Sequence, residues 1–217
     1  MTKPTTQIVI ALFDDFDPQD VMGPFEVLRF VPGAEVRFAA SAAGTIRSEH
    51  PALRLVVEQS FADVAPPDVL LVPGGSGEVR AREDAALRTL LLDARARDAY
   101  VASVCTGALV LGAAGLLQGK RATTHWLALD ELPRFGAIPV EERYVFDGKL
   151  VTSAGVSAGI DMALALASEL AGEAAAQRIQ LGIEYDPAPP FTTGSPAKAP
   201  AQMVEAVRAR SRFARGS

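Results

Sequence analysis

Three short apolar runs constrain this chain more than anything else in it: QIVIALF (7–13), DVLLV (68–72) and YVASV (100–104). Each is continuous rather than alternating, the pattern of a strand buried on both faces. Helical patterns and turn signals separate them. PFEVLRFV (24–31) reads as a helix and EVRFAA (35–40) as the strand after it, while HPALRLVVEQSF (50–61) suggests a shorter strand pair at an edge. EDAALRTLLLDARARD (83–98) carries apolar residues at helical spacing with Arg outward, and GALVLGAAG (107–115) is a buried helix ending near Gly115. ERYVFDGKLVTS (142–153) has a hairpin pattern with Asp147-Gly148 at the turn, and helices follow over 157–172 and 174–185. DPAPPFTTGSPAKAP (186–200) is rich in Pro, Gly and Ser and predicts a surface loop, followed by a last helix over 201–213. The expectation is an α/β protein, a mostly parallel sheet with helices on both faces, forming one domain over 1–217.

Composition narrows the partners. A formal charge of −5 and a sequence pI near 5.1 argue against a nucleic-acid surface. No apolar run reaches the ~18 residues of a membrane span. The first apolar run is cut short by Asp14, Asp15 and Asp17, unlike a signal peptide. A single cysteine rules out an intrachain disulfide and suits a reducing cytoplasm. Two histidines and one cysteine leave little for a nitrogen- or sulfur-ligated metal, so neither metal nor cofactor is expected.

In a parallel sheet, ligands lie beyond the carboxyl ends of the strands. Three stretches fall there: Asp14 to Asp20, PGGSG (73–77) and Cys105. Cys105 stands between the strand YVASV and the helix GALVLG, among the small residues Ala102, Ser103, Thr106, Gly107 and Ala108. This is the layout of a nucleophile elbow with a thiol in place of a hydroxyl. A buried cysteine is usually a small hydrophobe, but this position favours a reactive thiol, with its thiolate stabilised by the helix N-terminus. PGGSG offers unobstructed backbone N–H groups at Gly74 and especially Gly75, and the N–H of Thr106 is a natural second donor. The acid or base is less defined. Asp17 before Pro18 looks like a helix N-cap, with Asp20 at N3 as in a capping box. Local rules do not choose among Asp14, Asp15, Asp17 and Asp20. His125 is the alternative base, although a histidine beside a tryptophan is more often packed than catalytic.

SVCTGALVLGAAGLLQGKRATTHW (103–126) resembles the elbow region of the PfpI-like, class I glutamine amidotransferase-like superfamily, and within it the isonitrile (isocyanide) hydratase branch. GPFEVL (23–28), VPGGSG (72–77), GAIPVEERYVFDGKLVTSAGVSAGID (136–161) and EYDPAPPFTTGSP (184–196) extend the likeness over nearly the whole chain. The resemblance implies a flavodoxin-like three-layer sandwich and a homodimer. It implies Cys105 as nucleophile, Asp20 as the acid bonded to the thiol, Thr106 after the nucleophile, and a turn at Gly155 and Val156 closing over the sulfur. His125 sits where many relatives carry a histidine of varying role. The implied reaction is cofactor-independent hydration of an isocyanide, through a thioimidate on Cys105, to an N-substituted formamide. The chain departs from the branch at QDVMGP (19–24), where Met22 replaces a small polar residue beside the acid. The alternatives on this scaffold are a glyoxalase- or hydrolase-type cysteine enzyme, a peptidase least of all, or a cysteine-based redox sensor. AraC-type regulators share the domain but continue into a DNA-binding half that a chain ending at Ser217 is expected to lack.

Overall fold

A computed structural model of the chain describes residues 5–214. In chain order the elements are β1 (Thr6–Ala11), α1 (Pro18–Leu28), β2 (Ala34–Ala40), β3 (Gly44–Arg47), β4 (Arg54–Val57), β5 (Gln59–Ser60), β6 (Val69–Val72), α2 (Glu78–Ala81), α3 (Ala85–Ala96), β7 (Tyr100–Val104), α4 (Gly107–Ala113), β8 (Arg121–Ala122), a 3-10 helix (Trp126–Phe135), β9 (Ile138–Pro139), β10 (Tyr144–Asp147), β11 (Leu150–Ser153), α5 (Ala158–Ala171), α6 (Glu173–Gly182) and α7 (Ala201–Ala209). Seven strands form the central sheet in the order β10-β11-β7-β6-β1-β2-β5. Every neighbouring pair is parallel except the hairpin β10–β11 at one edge. This is the flavodoxin-like α/β sandwich. The three continuous apolar runs are its middle: Ile8, Ile10, Leu70, Leu71, Val101 and Ala102 are all fully buried. A strand with helices over both faces has no solvent side, so alternation is absent from its sequence.

Local chemistry sets the ends. α3 is capped by Asp84, whose carboxylate accepts from the N–H groups of Ala86 and Leu87. α4 stops at Ala113, and Gly115 beyond it takes a left-handed φ of +84°. α1 begins at Pro18, six residues before the helical pattern at Pro24 suggests, because Asp17 caps it and Pro18 is pre-set for the first turn. α7 ends at Ala209 rather than Phe213. There the Ser211 hydroxyl accepts from the Phe213 N–H, a local turn that competes with another helical turn.

β4 and β5 fall within the strand pair expected over 50–61, with β5 at the sheet edge beside β2, but two features depart from the sequence reading. β3 pairs with β4 as a small antiparallel ribbon outside the main sheet, and its residues are mostly exposed, so no apolar pattern marks it. The segment 121–139 forms a two-strand ladder around the 3-10 helix, which contains Pro133 and ends at Gly136 in the left-handed region. Ala128, Leu129, Leu132 and Phe135 recur at helical spacing against the core, but Pro133 interrupts the run.

The strand-to-helix turn after β7 is tight. A Cβ at Gly107 would lie 2.8 Å from the carbonyl oxygen of Pro73 and closer still to that of Val72. Gly107→Ala is therefore expected to lower stability by roughly 1–3 kcal/mol, read as a fall in the urea midpoint. An unchanged midpoint would mean the turn has room that the geometry denies.

Candidate active site

Cys105 is the residue between β7 and α4, and its φ is +56°, in the left-handed region that non-glycine residues rarely occupy. Neighbouring chains hold it there. Its N–H is shared between the carbonyls of Ser153 and Ala154, both at 3.2 Å, and its own carbonyl accepts from the Thr124 hydroxyl at 2.7 Å. The residue is buried, 7% exposed. The backbone N–H groups of Thr106 and Val156 face its sulfur and favour its charged form, while the neighbouring Asp20 carboxyl opposes it. Val156 is also left-handed, with φ +42°. Two strained non-glycine residues meeting at one sulfur, each at about 1–3 kcal/mol, is the pattern of a functional site.

The structure separates the four acids of the first loop. Asp14 is exposed and accepts from the Arg47 N–H at 2.9 Å. Asp15 pairs with Arg80 at 2.6 Å. Asp17 caps α1 through Gln19 and Asp20 N–H groups at 2.8 and 3.3 Å. Only Asp20 is fully buried. It does not return a capping-box bond. The Asp17 N–H donates instead to the Gly74 carbonyl at 2.9 Å, and Asp20 Oδ2 accepts from the Gly74 N–H at 2.8 Å. Asp20 Oδ1 is buried with no hydrogen-bond partner among the described residues. Gly74 must be glycine for this approach, since a Cβ would sit 2.6 Å from Thr106 N and 2.9 Å from Asp20 Oδ2. The Gly75 N–H donates to Thr106 Oγ1 at 3.2 Å, so it orients Thr106 rather than standing open.

Electrostatically the thiol and the carboxyl form one unit. Burial raises Cys105 well above an ordinary thiol and the charge of Asp20 adds to this, while the N–H groups of Thr106 and Val156 pull it back. Burial likewise raises Asp20, with Asp17 adding to it and the Gly74 N–H and the thiol opposing. Two adjacent buried anions are excluded, so the pair keeps a proton at neutral pH. This corrects the expectation of a thiol lowered by the helix end. Cys105 precedes the first residue of a helix only seven residues long, and desolvation outweighs its dipole.

His125 lies at the same end of the sheet but is engaged. Its Nδ1 accepts from the Leu127 N–H at 3.2 Å at the start of the 3-10 helix, so Nε2 carries the proton of the neutral ring. Burial lowers its pKa, and the ring edge packs on Gly155, where an added methyl would overlap it. Met22 is half-buried against the core. Sequence reasoning missed Glu49, which accepts from the Ser76 N–H at 3.1 Å and is raised by burial. It follows the ribbon strand β3, which no pattern announced. Among the described residues no group of three or more His, Cys, Asp or Glu is arranged to hold a metal, and no helix is long and apolar enough to cross a membrane.

A left-handed cysteine at the end of a parallel strand, facing a buried acid across a PGG loop, defines a class of cysteine-elbow α/β proteins. The chain belongs to the DJ-1/PfpI family, whose model matches residues 6–169; α7 lies beyond the matched residues. It is 47% identical over 205 residues to an isonitrile hydratase of Pseudomonas putida, covering 94% of this chain and 90% of that protein. It is 29% identical to a deglycase of Pyrococcus abyssi over 149 residues, 68% of this chain and 89% of that protein. The crystal structure of a THiJ/PfpI family protein from Pseudomonas syringae superposes with a TM-score of 0.90 at 38% identity, covering 94% of this chain and 85% of that one.

The raised carboxyl has a measurable consequence. Between the ordinary carboxylate value and the raised folded value, the folded state holds more protons than the unfolded one, so Asp20 lowers stability as pH rises through that interval. Asn at this position cannot ionise. The melting temperature of Asp20→Asn relative to wild type is expected to rise as the pH is raised above the ordinary carboxylate value, from about pH 4 upward. A difference that stays constant over this range would mean the carboxyl is not perturbed.

Proposed function

We propose that this chain is an isonitrile hydratase that adds water across R–N≡C to give an N-substituted formamide, with Cys105 as nucleophile. The observation that carries this reading is the buried Cys105 thiol set against the fully buried Asp20 carboxyl at the end of β7. The 47% identity to the Pseudomonas putida isonitrile hydratase supports the substrate class. The cycle balances with the pair and water alone. The sulfur bonds to the terminal isocyanide carbon, and the shared proton passes from Asp20 to that same carbon, giving the thioimidate R–N=CH–S–Cys105 and an ionised Asp20. Asp20 then takes a proton from water as its oxygen bonds to the carbon. The water's second proton passes from the new hydroxyl to the nitrogen as the carbon–sulfur bond breaks, so R–NH–CHO leaves, the sulfur departs as thiolate and Asp20 keeps the proton it took from water.

The remaining residues take supporting roles in this reading. The N–H groups of Thr106 and Val156 stabilise charge on the sulfur. Gly74 holds the Asp20 carboxyl, and Gly75 acts through the Thr106 hydroxyl. His125 is a wall of the site, its Nδ1 already used. The reading includes a homodimer, which the family resemblance implies, and light scattering at the dimer mass is the expected result. It also includes a cytoplasmic setting, where a lone thiol stays reduced.

Ultraviolet absorbance should detect formamide from cyclohexyl isocyanide with the wild-type protein. Cys105→Ala should abolish it, and Asp20→Asn should leave a residual rate lower by a factor on the order of 10²–10⁴, the scale of general acid–base catalysis. Full activity in Cys105→Ala would overturn the mechanism, and no formamide from folded, reduced wild type would overturn the substrate.

A further inference from the structure

The segment after α7 reaches the catalytic loop. Arg212 lies 2.7 Å from Glu78 Oε1, and its two terminal nitrogens donate to the carbonyls of Ser76 and Gly75, each at 3.4 Å. The Glu78 side chain is fully buried and is met on its other side by Arg82 at 2.5 Å. These are close charge contacts whose angles are not those of hydrogen bonds. A buried carboxylate needs such pairing to offset its desolvation, and Arg212 supplies half of it from a distant part of the chain. Phe213, next in sequence, packs half-buried against the core, and the guanidinium of Arg212 lies 4.7 Å over its ring.

The last turn of α7, just before this segment, is fastened at a second point. The Arg208 guanidinium lies 5.4 Å over the ring of Trp126 and 3.8 Å from Asp130. Trp126 follows His125, whose ring packs on Gly155, the residue before the sulfur donor Val156. At the other end, Gly75 takes Arg212 on its carbonyl and gives its N–H to the hydroxyl of Thr106, the other sulfur donor. The C-terminal segment thus bridges the two flanks of Cys105.

We infer that Arg212 is a positioning residue for the cysteine site: it straps the C-terminal segment to the Gly74–Gly77 loop, holding Gly75, and through it Thr106, in register with the sulfur while covering that flank of the site. It touches no reacting atom. The consequence for catalysis rests on the hydratase reading; the consequence for Cys105 does not.

The single cysteine makes the test unambiguous, because alkylation reports on Cys105 alone. In Arg212→Gln, iodoacetamide should alkylate Cys105 roughly tenfold faster, and KM for cyclohexyl isocyanide should rise by a similar factor with a smaller fall in kcat. That ratio is what loss of one charged contact supports. Arg212→Lys should fall between the two, since an ammonium pairs with Glu78 but lacks the planar fork that serves both carbonyls. If Arg212→Gln does not fold, Arg208→Gln loosens the second fastening, in the last turn of α7, and should shift both readouts in the same direction. A lower melting temperature with alkylation rate and KM unchanged would reduce Arg212 to a structural ion pair and overturn the inference. Wild type without hydratase turnover would sink the substrate assignment, while the alkylation comparison would still decide the role of Arg212.

Discussion

The site depends on Gly74 being bonded from both sides by the start of α1. The Asp17 N–H takes its carbonyl, and its own N–H goes to the Asp20 carboxylate. These two bonds fasten the loop after β1 to the loop after β6 and bury the one acid that meets the thiol. They also explain why Asp20 departs from capping chemistry. In a capping box the N3 carboxylate turns back to the N-cap N–H; here that N–H is already taken, so the carboxylate is free to turn inward. A helix cap, worth about 1 kcal/mol on its own, thereby becomes the means of aiming a buried acid at the thiol.

The geometry that results opposes stability locally. A buried carboxyl, a buried thiol beside it and two left-handed non-glycine residues each favour unfolding. The surrounding sheet offsets this, because fully buried Val69, Leu70, Leu71, Val72, Val101 and Val104 lie directly beneath the loops. Apolar burial of about 25 cal/mol per Å² acts over every one of these side chains. The same division recurs at the edge of the site, where buried Glu78 is tolerated only because Arg82 and Arg212 converge on it. The two guanidinium groups offset the desolvation of the buried carboxylate rather than adding net stability.

Much of the fold was legible because buried parallel strands leave an unmistakable trace in sequence. β1, β6 and β7 were read from continuous apolar runs, the hairpin β10–β11 from alternation around Gly148, and α3 from spacing. The ribbon strand β3 and the segment around the 3-10 helix were not legible. β3 is mostly exposed and buries no apolar face, and in the 3-10 segment Pro133 interrupts the apolar spacing. At the site, Cys105 could be read as an elbow from its small neighbours and from the strand and helix on either side. The choice of Asp20 among four acids came from resemblance, and burial is its physical ground.

The sequence alone determined that the chain would build a covered parallel sheet and present a lone thiol at the end of one strand, because strand burial and tight turns act through residues close together in the chain. Tertiary structure decided the rest. It decided that the thiol is raised rather than lowered, since desolvation is a property of everything packed around a group and not of its neighbours in sequence. It turned Gly75 toward Thr106 and brought the Val156 N–H to the sulfur from a turn 51 residues away in the chain (156 − 105). It also returned Arg212 to a loop more than a hundred residues earlier, where its charge meets Glu78. Long-range electrostatics and burial exist only once the chain has folded, so no local pattern encodes them.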